Sequence, residues 1–124
     1  MRILLKSKIH NALVNQAIVN YEGSISIPLK ILEEADIMEG EQVHIWNVTN
    51  GNRLTTYAIV SEDDRTISVN GAAAKLCFPG DTIIIAAYGI YTEEEAKRHK
   101  AKILILNNRN EIIKKYLFPE GSQK

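Results

Sequence analysis

Ile37-Met38-Glu39-Gly40-Glu41-Gln42-Val43 is echoed 40 residues later by Cys77-Phe78-Pro79-Gly80-Asp81-Thr82-Ile83. Each stretch holds a turn, a glycine, an acid and then, two places on, a β-branched residue. Each also follows a candidate short helical segment, at 28–36 and at 72–76. A small β-barrel of two pseudo-equivalent halves explains the echo. Coincidence explains it too, because Gly-acid pairs are common at turns, and spacing alone leaves both readings open.

Strands dominate around the two stretches. Gln42 to Val48 alternates, with Val43, Ile45 and Asn47 on one face and His44, Trp46 and Val48 on the other. Asn50-Gly51 then marks a hairpin, with Arg53 to Val60 as the return strand. Asp63-Asp64 leads into Arg65 to Val69, which Asn70-Gly71 ends. Asp81 to Tyr88 contains Ile83-Ile84-Ile85, an apolar run suited to a strand covered on both faces. Arg2 to His10 alternates imperfectly. Lys102 to Leu106 and Glu111 to Leu117 read as a last hairpin. Pro28 suits a first helical position, with Leu29, Leu32 and Ala35 as a short buried stripe. Thr92-Glu93-Glu94-Glu95 is a capping box opening a helix over 93–99. The class is mainly β, with short helices and a C-terminal helix plus hairpin. One domain is expected over 1–118, with a disordered tail at 119–124.

Composition narrows the chemistry. The 124 residues suffice for one domain with a real core. Fifteen basic residues balance fifteen acidic ones, which argues against a general nucleic-acid binder. One cysteine excludes a disulfide framework and a Cys-rich zinc site. His10, His44 and His99 show no ligand-like spacing, so no metal site is expected. Cys77 reads as a small buried hydrophobe. Gly71-Ala72-Ala73-Ala74 lacks the features of a phosphate-binding loop. No apolar run approaches the ~18 residues of a membrane span, and the N-terminus is charged too early for a signal peptide. A cytoplasmic location is expected.

What remains is Tyr21-Glu22-Gly23-Ser24, by itself an ordinary turn. Its setting is more specific. Lys8-Ile9-His10 precedes it. Ile45-Trp46-Asn47-Val48-Thr49-Asn50-Gly51-Asn52-Arg53, Thr56-Tyr57-Ala58-Ile59, Ser68-Val69-Asn70-Gly71-Ala72-Ala73-Ala74 and Gly80-Asp81 follow in order. This set closely resembles the pyruvoyl-dependent aspartate 1-decarboxylases, across the first two-thirds of the chain. Ile25 departs from the pattern, since a cysteine often follows the processed serine there.

The resemblance implies a double-psi β-barrel, assembled as a homotetramer with active sites between subunits. It implies self-cleavage between Gly23 and Ser24, in some relatives with a helper protein for maturation. Ser24 would become a pyruvoyl group, the covalent cofactor and Schiff-base site. Glycine at 23 suits a strained or left-handed bond. Thr56 would donate to the oxyanion formed on the Gly23 carbonyl. The substrate would be L-aspartate and the product β-alanine, which feeds pantothenate and coenzyme A synthesis. Arg53 and Lys8 would hold its carboxylates, and Tyr57 would donate the proton. Asn70, Gly71, Ala72, Ala73 and Ala74 would shape the pocket. His10, Tyr21 and Trp46 would pack around it. Residue types alone leave Arg53 and Lys8 as solvated charges, and Thr56 and Tyr57 as ordinary strand residues. Two other classes fit a small β-barrel: a swapped-hairpin DNA-binding regulator, with Lys6, Lys8 and His10 as a basic strand, and a structural oligomerising barrel.

Overall fold

The alternation between Gln42 and Val48 is realised as a strand whose Val43, Ile45 and Asn47 side chains enter the core. In the computed structural model, which describes residues 1–120, this strand is β4 (Gln42–Asn47) of nine. The others are β1 (Arg2–Leu13), β2 (Gln16–Ile18), β3 (Ser24–Ile27), β5 (Arg53–Val60), β6 (Ser68–Asn70), β7 (Thr82–Tyr91), β8 (Ala101–Leu106) and β9 (Ile112–Phe118). Helix α1 (Leu29–Ala35), a 3-10 helix (Gly71–Lys75) and helix α2 (Glu93–Arg98) complete the described residues. The class is mainly β, as expected.

The strands form one sheet in the order β2-β6-β3-β5-β4-β7-β1-β8-β9. Val14 and Asn15 alone separate β1 from β2. The order therefore returns on itself: the N-terminal stretch pairs with β7 and β8 through β1, and with β6 through β2. The parallel pairs β2–β6 and β3–β5, with β3–β6 antiparallel between them, fit the crossed wiring of two interlocked halves. Ile9, Ile25, Ile27, Val43, Ile45, Ile83 and Ile85 meet in the core and have no exposed surface.

The 40-residue echo is structural. Gly40 and Gly80 both take a left-handed φ, +87° and +95°. In the first turn the Glu41 N–H donates to the Met38 carbonyl at 3.1 Å, and the Met38 N–H donates to Glu41 Oε1 at 3.1 Å. In the second, the Asp81 N–H donates to the Phe78 carbonyl at 2.9 Å, and the Phe78 N–H donates to Asp81 Oδ2 at 2.9 Å. Each turn also grips a segment outside its own motif. Gly40 and Glu41 exchange backbone bonds with Ala58, at 2.8 and 3.0 Å, as Gly80 and Asp81 do with Val14, at 2.8 and 2.9 Å. Coincidence does not build the same four bonds twice.

The two acids differ in burial. Asp81 is buried and accepts a further bond from Asn47 Nδ2 at 2.8 Å, whereas Glu41 reaches a partly exposed Lys6. Asp81→Ala removes the acceptor of the buried Asn47 amide and of the part-buried Phe78 N–H and is expected to cost about 2–3 kcal/mol, against about 1 kcal/mol for Glu41→Ala. Urea denaturation of both variants measures this, and equal losses would contradict the assignment.

Several local expectations are corrected. Pro28 is the N-cap, with ψ 141°, and the helix begins at Leu29. Leu29 is 52% exposed; Ile31, Leu32 and Ala35 carry the buried face instead. Ile84 is only half-buried, so β7 is fully covered on one face there. The strand expected from Arg65 starts at Ser68, because Asp63 Oδ1 accepts from the Arg65 and Thr66 N–H groups and holds both in a turn. Strands β2 and β3 were not anticipated. Helix α2 ends at Arg98, one residue early, with the capping box formed: the Glu95 N–H donates to Thr92 Oγ1 at 3.1 Å and the Thr92 N–H to Glu95 Oε1 at 2.8 Å. Of the expected tail, Pro119 and Glu120 are irregular, and 121–124 lie outside the described residues. No helix among the described residues is long and apolar enough to cross a membrane.

Candidate active site

Ser24 opens β3, which lies between β6 and β5 in the sheet, directly opposite Asn70 of β6. It is 1% exposed. Its hydroxyl donates to the Glu22 carbonyl at 3.2 Å and accepts from Asn70 Nδ2 at 2.9 Å. The same amide nitrogen donates to Ser26 Oγ at 3.1 Å, and Ser68 Oγ donates to Asn70 Oδ1 at 2.8 Å. Four polar side chains thus converge on one buried point between apolar neighbours.

Gly71 follows at once, with φ +69°. A Cβ built on it would stand 2.6 Å from both Gly23 Cα and Gly23 N, and 2.9 Å from the Tyr21 carbonyl oxygen. No side chain fits there, so the backbone of 71 lies hard against the backbone of 21–23. Gly23 itself differs from expectation. Its φ is outside the left-handed region, and a Cβ on it would meet nothing within 4 Å. The glycine that the geometry demands is Gly71. Ala72, Ala73 and Ala74 continue as a 3-10 helix whose first N–H groups receive no side-chain cap.

Thr56 and Tyr57 come to this point through strand pairing. Strands β3 and β5 run parallel with Ile25 opposite Ala58. Continued back, that register sets Tyr57 level with Ser24 and Thr56 level with Gly23. Alternation turns the two to opposite faces. Tyr57 is 39% exposed, whereas Thr56 shares the face of the buried Ala58. Tyr21 is exposed and lines a cleft of about 280 Å³ with Ser26, Ser68 and Asn70. The charged residues lining that cleft are Glu62 and Asp63, both acids.

The cations gather elsewhere. Arg53 pairs with Trp46 across β5 and β4, and its guanidinium lies 4.8 Å from the indole centroid. Lys8 Nζ approaches the same ring at 6.0 Å. Among the described residues, neither cation is ion-paired. Trp46 and Arg53 line a separate groove of about 670 Å³ with His44, Thr55 and Tyr88. His10 is half-buried, and burial followed by the charge of Lys8 lowers its pKa. No hydrogen bond, ion pair or ring contact among the described residues joins this cluster to Ser24. The structure therefore gathers Gly23, Ser24, Asn70 and Gly71 in one place and Lys8, Trp46 and Arg53 in another.

Cys77 is buried, and desolvation raises its thiol pKa, as expected of a packing residue. Sequence reasoning missed Ser26 and Ser68. Their signal was available as polar residues two apart in otherwise apolar strands, Ser24-Ile25-Ser26-Ile27 and Ser68-Val69-Asn70.

Polar groups centred on one buried serine, and two cations beside one indole that are not ion-paired among the described residues, are the features of a small mainly-β enzyme. Comparison with known proteins specifies which. A family model described as aspartate decarboxylase matches residues 1–113. The chain is 48% identical over 113 residues to an aspartate 1-decarboxylase of Thermoanaerobacter pseudethanolicus, covering 90% of this chain and 97% of that relative. It is 53% identical over 110 residues to one of Xanthomonas oryzae pv. oryzae, covering 88% and 87%. The chain belongs to the aspartate decarboxylase family.

Proposed function

We propose that this chain decarboxylates L-aspartate to β-alanine and CO2 in the cytoplasm, as a step towards pantothenate and coenzyme A, using a pyruvoyl group made from its own Ser24. The observation that carries the reading is the buried Ser24 directly after an exposed Gly23, with Asn70 bonded to the serine hydroxyl and Gly71 against the Gly23 backbone, within the region that matches the family. The site suits such a group. Once the serine oxygen is gone, the Asn70 amide still has an N–H aimed at position 24, and the backbone of Gly71 leaves no room for a side chain to fill the space. When formed, the pyruvoyl ketone supplies an electron sink for loss of the substrate's α-carboxylate.

The remaining roles belong to ordinary residues. The Arg53 guanidinium offers a bidentate fork to one carboxylate, and Lys8 a point charge to the other. Trp46 stands beside both cations, His10 packs close to Lys8, and Tyr21 packs in the cleft beside Ser24. Tyr57, level with Ser24, donates the proton that replaces the lost carboxylate. Thr56, level with Gly23, donates to the carbonyl oxygen during cleavage. Asn70 and the backbone of Gly71 to Ala74 bound the substrate.

The placement of charge bears on assembly. The cleft beside Ser24 carries acids, while Lys8 and Arg53, not ion-paired among the described residues, stand beside Trp46 and away from that cleft. A dicarboxylate held at Ser24 needs cations, and a neighbouring copy of the chain supplies them. This supports a homotetramer of single-domain subunits, each spanning 1–118, with active sites between them. No observation favours the DNA-binding or purely structural readings.

Assay of CO2 and β-alanine tests the function. L-Aspartate is expected to be the substrate, with L-glutamate turned over poorly. Arg53→Gln is expected to raise KM for aspartate roughly 10- to 100-fold, the effect of losing a charge-assisted bidentate contact. Absence of β-alanine from a cleaved preparation, or equal rates on both acids, would refute the assignment.

A further inference from the structure

Asn70 is the residue through which the hydroxyl of Ser24 is held, and a side-chain amide is useful there only in one of its two orientations. With the NH2 edge towards β3, its two N–H bonds serve Ser24 Oγ at 2.9 Å and Ser26 Oγ at 3.1 Å. Turned over, it would present Oδ1 to Ser24, whose own proton is committed to the Glu22 carbonyl. The productive orientation leaves Oδ1 pointing away from β3, at a buried position where an unpaired carbonyl is costly. Ser68 donates its hydroxyl to that oxygen at 2.8 Å. It is itself buried, two places before Asn70 on β6, and it makes no other side-chain bond among the described residues.

We propose that Ser68 is a positioning residue for chain cleavage: by holding Asn70 Oδ1 it keeps the amide N–H on Ser24 Oγ, so that the nucleophile stays in one rotamer. This rests on the cleavage reading above. One lone pair of Ser24 Oγ accepts from Asn70, and the second remains for attack. The Oγ–C bond to the Gly23 carbonyl carbon forms and the C–N bond to Ser24 breaks. The hydroxyl proton ends on the freed Ser24 amine, giving an ester with no atom unaccounted for. Elimination then takes the Ser24 Cα proton and releases Gly23 as a carboxylate. Water converts the remaining dehydro residue to the keto group with loss of ammonia. Ser68 takes no part in these bonds and touches none of the reacting atoms.

Threonine and valine at 68 have nearly the same shape and differ in the hydroxyl, so they separate positioning from packing. The full-length chain is purified rapidly as wild type, Ser68→Thr, Ser68→Val and Ser68→Ala. Cleavage is followed by denaturing intact mass, and melting temperature is recorded alongside. Thr is expected to cleave at close to the wild-type rate. Val and Ala are expected to be slower by about 10-fold or more, as for a nucleophile no longer held in its reactive geometry. Ser68→Ala, the least intrusive change, decides the matter should the valine variant fail to fold. Val or Ala cleaving as fast as Thr overturns the proposal. Three equally slow variants overturn it as well, because size and not the hydroxyl would then be what matters. A wild type that stays intact, in buffer and in cell extract, overturns the cleavage reading itself and is told apart by that control.

Discussion

Ser24→Ala is expected to remain a single 124-residue polypeptide and to release no measurable CO2 from aspartate. The loss is total because one oxygen is asked to do two things. It must attack the Gly23 carbonyl, and its departure must leave the keto group behind. Neither step has a substitute at this position: Ser26 sits two residues on, with Ile25 between it and the Gly23 carbonyl. The expected fall is therefore to the uncatalysed rate, about 10⁶-fold or more. The fold should survive at a measurable cost. Asn70 keeps its bonds to Ser26 and Ser68, but its second N–H loses the Ser24 oxygen at a buried position, so a loss of about 1–3 kcal/mol is expected. Denaturing mass, CO2 release and urea denaturation on one preparation check the three statements together. Two chains from the alanine variant, or retained activity in an uncleaved chain, would end the proposal that Ser24 is the source of the electrophile.

Gly71→Ala is expected to be the most damaging single-methyl change in the site. A positive φ alone costs an L-residue about 1–2 kcal/mol. At Gly71 the added Cβ also lands 2.6 Å from two backbone atoms of Gly23, which no rotamer change can relieve. The combined cost is expected to reach at least ~3 kcal/mol, in the range of strained or overpacked positions. Movement of residues 21–23 away from β6 would also take Gly23 out of line with Ser24, so cleavage should stall. Gly40 is the control. Its φ is +87°, but a Cβ there meets nothing within 4 Å, so Gly40→Ala should show the conformational cost alone. Urea denaturation of the two variants gives the difference. Equal losses would mean that the contact with Gly23 is not made in solution.

How far the sequence could be read depended on the range of the interactions. The Thr92–Glu95 capping box and the Asn50–Gly51 hairpin were legible because each closes within a few residues. The echo at Gly40 and Gly80 was visible as a pattern, but its physical content is the grip each turn takes on Ala58 or Val14, and those partners are not in either motif. Leu29 was misplaced because a seven-residue helix has too few turns to fix its own buried face. In the site, the Gly23-Ser24 pair and the Asn70-Gly71 pair were both identified, but not that they face each other across β3 and β6. The separation of Lys8 and Arg53 from Ser24 was equally out of reach, since strand order decides it for Lys8 on β1, and for Arg53 its place at the start of β5, five residues before the Ala58 that pairs with Ile25. Ser68 stood inside the quoted segment Ser68 to Ala74 but had no role of its own there. Its importance comes from a hydrogen bond that exists only once Asn70 has a buried oxygen to satisfy.

The return of the sheet on itself through β1 and β2 has a consequence for a chain cut at Gly23. The 23 residues before the cut are no removable leader. They hold places between β7 and β8 and beside β6, and they carry Ile9, Ala12 and Val14 in the core. A cut chain would stay assembled as two polypeptides sharing one set of ladders. Once denatured, however, its halves would have to find each other again, so refolding would become bimolecular and depend on concentration. In the uncut chain the same ladders close within one polypeptide, so the cut proposed to create the electrophile would also make the loss of each subunit's structure harder to reverse.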